Sequence, residues 1–119
     1  MRDGVRTVLV VDDEPSIRLL CRINLELDGH AVVEAGTLAE ARAQLDAGGV
    51  DAVLLDLHLG HERTHGLIGE LVERRIPVAL VTGSTDARTA GEAGADAVLG
   101  KPFAIDQLSR TVRSLLDGR

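Results

Sequence analysis

The sequence predicts an α/β domain, a doubly wound open parallel sheet of five strands built as five successive βα units. Three observations carry this. Five short apolar runs read as strands, at Thr7–Val11, Ala31–Glu34, Ala52–Leu55, Val78–Val81 and Ala97–Leu99. Several are continuous Val/Leu/Ala runs without polar alternation, which suits strands covered on both faces. Each is followed by a stretch with helical periodicity, and alternating β and α segments fold as a parallel sheet with helices on both sides.

The elements justify themselves in order. After the first strand, Pro15 suits the first helical position and Gly29 the stop, with Ile17, Leu20, Cys21 and Leu27 near one face and Asn24 interrupting it. Thr37-Leu-Ala-Glu40 is a capping-box pattern that opens a second helix, with Leu38, Ala41 and Leu45 at helical spacing. A third helix covers Leu67, Ile68, Leu71 and Val72. A fourth, around Ala87–Ala93, contains Gly91 and is rich in Ala and Thr, so it is expected to be the weakest. In the last, Ile105, Leu108, Val112, Leu115 and Leu116 form one stripe.

Composition bounds the function. The 119 residues fit one domain, 1–119, with no linker, repeat or low-complexity tract. Hydrophobic residues make up 45%, but Phe103 is the only aromatic, so the core must be Leu, Val, Ile and Ala. A net charge of −6 argues against a nucleic-acid surface, which needs clustered Lys and Arg. No membrane-spanning run and no signal-peptide pattern is visible, so a cytoplasmic location is expected. Cys21 has no internal disulfide partner and reads as a packing residue. Of 13 basic residues only Lys101 is lysine. A site that needs a compact point charge rather than a planar fork would keep a lysine there.

Function should lie at the carboxyl ends of the strands. The residues just past the predicted strands are Asp12-Asp13, Asp56, Thr82 and Lys101. Three carboxylates at one edge would repel, by about 4 kcal/mol for a pair roughly 4 Å apart at an effective dielectric of about 20. A hard divalent cation, Mg2+ or Mn2+, with oxygen ligands offsets that repulsion, and Lys101 adds one more positive charge. The sum is close to zero, so a phosphoryl group could enter. An aspartate can attack phosphorus to form an aspartyl phosphate. Asp56, on the central strand, is the best-placed nucleophile, with Asp12 and Asp13 as metal ligands and the Thr82 hydroxyl as a donor to a phosphoryl oxygen. Gly83 leaves space for the group.

With these residues the chain resembles the receiver domain of two-component response regulators. The carriers are VLVVDDEPSIR at 8–18, DAVLLDLHLG at 51–60, PVALVTGS at 77–84 and GADAVLGKPF at 94–103, so the resemblance spans the chain. It implies the flavodoxin-like receiver fold with strand order 2-1-3-4-5. It implies Asp56 as phosphoacceptor, Asp12 and Asp13 as the acidic metal pair, Thr82 as switch hydroxyl and Lys101 as phosphate-contacting amine. It also implies a cis bond before Pro102 and the His58 backbone carbonyl as a further metal ligand. The implied phosphodonor is a histidine kinase or a histidine phosphotransfer protein.

Three features depart from the family pattern. Val98 stands where receivers usually carry an aromatic coupled to the switch hydroxyl. The usual Met-Pro pair after the phosphoacceptor is replaced by DLHLGHERTHGL, so the loop and third helix should differ. Gly91 and the Ala-rich fourth helix suggest an easily remodelled output face. His58, His61 and His65 raise the possibility of zinc, but no cysteine accompanies them and the segment reads as a solvated loop. His58 can still influence water attack on an acyl phosphate, and His58→Ala is expected to change the dephosphorylation rate; Ser84, two past Thr82, leaves water access open. TGSTD at 82–86 has a flavodoxin ring, but it follows the fourth strand, and Asp12-Asp13 would repel a flavin phosphate. The expectation is therefore a stand-alone receiver, a monomer or weak dimer, that catalyses only its own phosphoryl transfer and dephosphorylation. It would switch a surface of the fourth helix, fifth strand and fifth helix for a downstream protein partner. The alternatives are a phosphorylation-independent interaction module and a fragment of a multidomain regulator.

Overall fold

The computed structural model describes residues 5–60, 62–83 and 94–118. The elements are β1 (Thr7–Val11), α1 (Pro15–Leu27), β2 (Ala31–Ala35), α2 (Leu38–Ala47), β3 (Ala52–Asp56), β4 (His58–Leu59), β5 (Glu62–Arg63), α3 (His65–Glu73), β6 (Val78–Thr82), β7 (Ala97–Gly100) and α4 (Ile105–Asp117). His61, Ser84 and the fourth predicted helix at Ala87–Ala93 with Gly91 lie outside the described residues.

Five strands form one sheet in the order β2-β1-β3-β6-β7, each pair parallel. This is the predicted 2-1-3-4-5 order. Successive strand residues face opposite sides, and each side has its own apolar layer. Leu9, Val11, Val53, Leu55 and Leu80 pack with Ala41 and Leu45 of α2 and Leu67, Ile68 and Leu71 of α3. Val8, Val10, Leu54 and Val81 pack with Cys21 and Leu25 of α1 and Leu108, Val112, Leu115 and Leu116 of α4. The uninterrupted apolar runs are thus explained: every residue of β3 and β6 is buried, including the terminal Asp56 and Thr82.

Four local expectations are corrected. Asp56 and Thr82 are the last residues of their strands rather than the first beyond them, because the ladders pair Asp56 with Val81 and Thr82 with Gly100. In α1 the buried stripe is Ile17, Cys21 and Leu25 at i, i+4 and i+8, with Ile17 only partly covered. Leu27 is 79% exposed and Leu20 37% exposed, so Asn24 interrupts nothing. Val72 and Ile105 are likewise exposed at the edges of their helices. The segment after Asp56 is no plain loop: β4 and β5 form a two-stranded antiparallel hairpin.

The helix ends follow the sequence closely. Pro15 opens α1, and Gly29 follows its cap with φ +96°, a left-handed conformation that glycine adopts without penalty. Thr37 caps α2 by accepting from the Glu40 N–H at 3.1 Å. The return bond is displaced by one residue, since Glu40 accepts from the Gly36 N–H at 2.7 Å instead of that of Thr37.

Candidate functional site

β1, β3, β6 and β7 deliver their last residues to one edge of the sheet. Asp12 follows β1 and is buried, whereas its neighbour Asp13 is exposed. One carboxylate oxygen from each of Asp12, Asp13 and Asp56 lies within 4.8 Å of the others. Lys101, just past β7, puts its Nζ 3.0 Å from Asp12 Oδ2 and 3.3 Å from Asp56 Oδ2. The lysine singled out by composition is therefore the ammonium that ties two of the three carboxylates together.

Backbone groups engage the second oxygens of Asp12 and Asp56 and one oxygen of Asp13. The Glu14 N–H donates to Asp12 Oδ1 at 2.9 Å, the His58 N–H to Asp56 Oδ1 at 3.2 Å and the Gly60 N–H to Asp13 Oδ2 at 3.0 Å. Burial pushes the Asp56 carboxyl above the ordinary carboxylate range; the His58 N–H and Lys101 oppose this, and the Asp12 charge adds to it. Burial works against the Lys101 charge, but the hydrogen bonds and charges of Asp12 and Asp56 outweigh it and hold the ammonium above its usual pKa. Cys21, beneath the site, has its thiol pushed up to about 12, first by burial and then by Asp12. It is a protonated packing residue, as expected.

Thr82 is buried at the end of β6, and its carbonyl accepts from the Lys101 N–H at 2.8 Å, which locks the two strand ends together. Gly83 beside it is exposed, with nothing within 4 Å of where a Cβ would stand. The Lys101–Pro102 bond is cis, as the resemblance implies. Val98 is 38% exposed on β7 in the usual aromatic position. The side chain of His58 points outward on the hairpin. Among the described residues the carboxylate trio is the one group with metal-ligand geometry, and no histidine joins it.

Two contributors escaped the sequence. Thr64 is fully buried, and its Oγ1 lies 2.9 Å from the carbonyl oxygens of both Asp56 and Leu57. It anchors the backbone that carries Asp56. No local pattern marks it, because its partner is a turn eight residues earlier. Arg18 donates from Nη1 to the Asp12 carbonyl at 2.6 Å; it sits within the VLVVDDEPSIR stretch, but nothing there says where its guanidinium goes.

Comparison with known proteins points to one family. The family model for the response regulator receiver domain matches residues 8–113. The chain belongs to that family. As a receiver domain it is similar to the transcriptional regulatory protein KdpE of Mycobacterium tuberculosis, 39% identical over 111 residues that cover 90% of this chain and 49% of KdpE. It is similar to the transcriptional regulatory protein TcrA of the same species, 38% identical over 94% of this chain and 46% of TcrA. In structure it resembles the receiver domain of NtrX from Brucella abortus, with a TM-score of 0.87 and 28% identity over 94% of this chain and 99% of that one. The receiver spans about half the length of the curated relatives it matches.

Proposed function

We propose that this receiver accepts a phosphoryl group on Asp56 from a histidine kinase or histidine phosphotransfer protein, using Mg2+ or Mn2+. The single observation that carries this is Lys101 Nζ held between the carboxylates of Asp12 and Asp56 with Asp13 alongside. The residues suit a hard divalent cation. They offer oxygen donors only, and three carboxylates against one ammonium leave two negative charges for it to balance. Asp12, Asp13, Asp56 and the His58 carbonyl would hold the ion, which when bound offsets negative charge on the phosphoryl oxygens.

Asp56 supplies the attacking carboxylate oxygen. As its bond to phosphorus forms, the phosphorus–nitrogen bond to the donor imidazole breaks and the nitrogen keeps the electron pair. Lys101 compensates the carboxylates before transfer and the phosphoryl oxygens after it. Thr82 supplies a hydroxyl donor to one of those oxygens, and Gly83 leaves the approach open. His58, two residues past Asp56, influences the later attack of water. The chain acts as an enzyme only on itself.

The surroundings support a protein donor. A cavity lined by Ile17, Leu20, Pro102 and Phe103 adjoins Lys101. From it, exposed Leu19, Leu20, Ile23 and Leu27 continue along α1, an apolar strip unusual on a free helix face. The relatives are transcriptional regulators, so a longer protein containing this receiver could act on DNA through another part. The net charge of −6 supports a receiver that does not itself bind nucleic acid. The second reading, a phosphorylation-independent interaction module, is favoured by Val98 and by the altered segment after Asp56.

The test is phosphorylation by a small-molecule phosphodonor with Mg2+, read on a phosphate-retarding gel for wild type and Asp56→Asn. A retarded band in wild type only, abolished by chelator, is the expected result. No band in either protein, with both folded and Mg2+ bound, would leave the interaction module as the better reading.

A further inference from the structure

We infer that Arg18 is a positioning residue for the acidic site, holding the Asp12–Asp13 peptide in the orientation that lets both carboxylates serve one cation. The inference rests on the metal-binding reading above and deepens it.

Asp12 and Asp13 are consecutive, yet their carboxylates must converge with that of Asp56. The direction of the peptide between them decides whether this is possible. Three contacts define that direction. The Asp12 N–H donates to the Ala35 carbonyl at 3.0 Å, continuing the β1–β2 ladder by one residue. Arg18 Nη1 donates to the Asp12 carbonyl oxygen at 2.6 Å, the oxygen of the peptide that joins the two acids. Asp13 is then anchored by the Gly60 N–H on the hairpin side. Without Arg18 that carbonyl loses the donor this contact provides, and the peptide plane gains freedom to rotate.

Arg18 is itself held. Its Nε donates to Glu34 Oε1 at 3.0 Å, and Glu34 on β2 takes Arg22 Nε on its other oxygen at 2.6 Å. The Arg22 hydrogen bond, with burial opposing it and Arg18 assisting, keeps the Glu34 carboxyl below its ordinary range. Arg22 also pairs with Glu26 at 3.2 Å, so the two arginines and two glutamates sum to zero and the Arg18 guanidinium adds geometry to the site without a net charge that would repel a cation. Space is reserved for it as well: a Cβ on Gly36 would stand 3.0 Å from Arg18 Nη1. Groups that orient metal ligands in this way typically affect metal affinity or activity about 10- to 100-fold when removed.

The experiment is a Mg2+ titration of the full chain, followed by calorimetry and by the amide resonances of Asp13 and Gly60. Wild type is compared with Arg18→Ala, Arg18→Lys, Arg22→Ala and Asp13→Asn, and thermal stability is recorded for each. Arg18→Ala is expected to weaken Mg2+ binding about tenfold. Arg18→Lys should recover part of the loss, since an ammonium can still donate to the Asp12 carbonyl. Arg22→Ala removes the other arginine from Glu34 without touching Asp12 and should bind as wild type does. Unchanged affinity in a folded Arg18→Ala protein overturns the inference, and so does an equal loss in Arg22→Ala, which would assign the effect to the general α1–β2 tie. Should wild type bind Mg2+ no better than Asp13→Asn, the metal-site reading fails, and the inference with it, before the arginine variants are compared.

Discussion

Asp56 keeps its carboxyl where ionisation is disfavoured, and this gives the site a signature in stability. Its folded-state pKa lies above the unfolded value, with burial as the main cause. The associated stabilisation is complete below the unfolded carboxylate range and is lost as pH rises through the folded value. At neutral pH the ionised group therefore opposes folding. In chelator at pH 7.5, Asp56→Asn is expected to melt higher than wild type, by about 1 kcal/mol or on the order of 4 °C. The difference should close as pH falls into the carboxylate range, and a variant that melts lower than wild type at pH 7.5 would refute the assignment. Glu34 has the opposite sign, because its pKa is lowered: its stabilisation is present above the unfolded carboxylate range and is lost as acid protonates it. Thr64 offers a second residue-scale test. Thr64→Val keeps the shape but removes the hydroxyl that bonds the Asp56 and Leu57 carbonyls, and should lower stability by about 1–2 kcal/mol. The measurement is a shift of the denaturant midpoint without a change in slope.

Among the elements, α1 separates core from surface within one turn. Leu25 is fully buried against the sheet, whereas Leu27 is 79% exposed. Leu25→Ala should destabilise by about 2–5 kcal/mol through transfer and cavity effects. Leu27→Ala should stay within about 0.5 kcal/mol, and urea midpoints for the pair check both. A large effect at Leu27 would mean that α1 packs by the stripe the sequence suggests, Ile17-Leu20-Cys21-Leu27, rather than by Ile17-Cys21-Leu25. The confusion has a physical source. α1 carries apolar residues around much of its circumference, so periodicity identifies a helix but does not choose its buried face. Where a stripe was unambiguous, as in α4, burial followed it at Leu108, Val112, Leu115 and Leu116 and failed only at Ile105 in the first turn. Continuous apolar strands gave the parallel sheet, and the residue types at their ends gave Asp12, Asp13, Asp56, Thr82 and Lys101. What stayed hidden depends on short-range contacts that follow neither the helical nor the strand period, six residues apart for Arg18 and seven and eight for Thr64. The β4–β5 hairpin is two residues per strand, too short for any alternation to register. Thr64 and Arg18 act through carbonyl oxygens, whose positions no side-chain pattern reveals.

At the scale of the whole molecule, the charge distribution couples metal, proton and fold. The chain carries a net charge of −6, and three carboxylates gather at one edge of the sheet, two of them tied by Lys101, against two apolar layers. A ligand that binds the folded state and not the unfolded one stabilises by mass action, by about 2.7 kcal/mol at a concentration 100 times its dissociation constant. Mg2+ is therefore expected to raise the melting temperature of wild type steadily with concentration, by several degrees once binding saturates. Asp13→Asn should show a markedly smaller rise, since it removes an exposed ligand while leaving the Lys101 bridge between Asp12 and Asp56 intact. Asp56→Asn should also respond weakly, but from a higher starting point. The order of wild type and Asp56→Asn should thus converge or invert between chelator and saturating Mg2+. Thermal scans across a Mg2+ series at fixed ionic strength read this directly, with Na+ matched so that general screening moves all three proteins alike. Parallel curves for the three would mean that the cation acts only by screening, and the carboxylate trio would then be a repulsive cluster held by Lys101 and the backbone N–H groups of Glu14, His58 and Gly60. Convergence or inversion would show that the strain left by three acids at one strand edge is relieved by the ion that phosphoryl transfer requires.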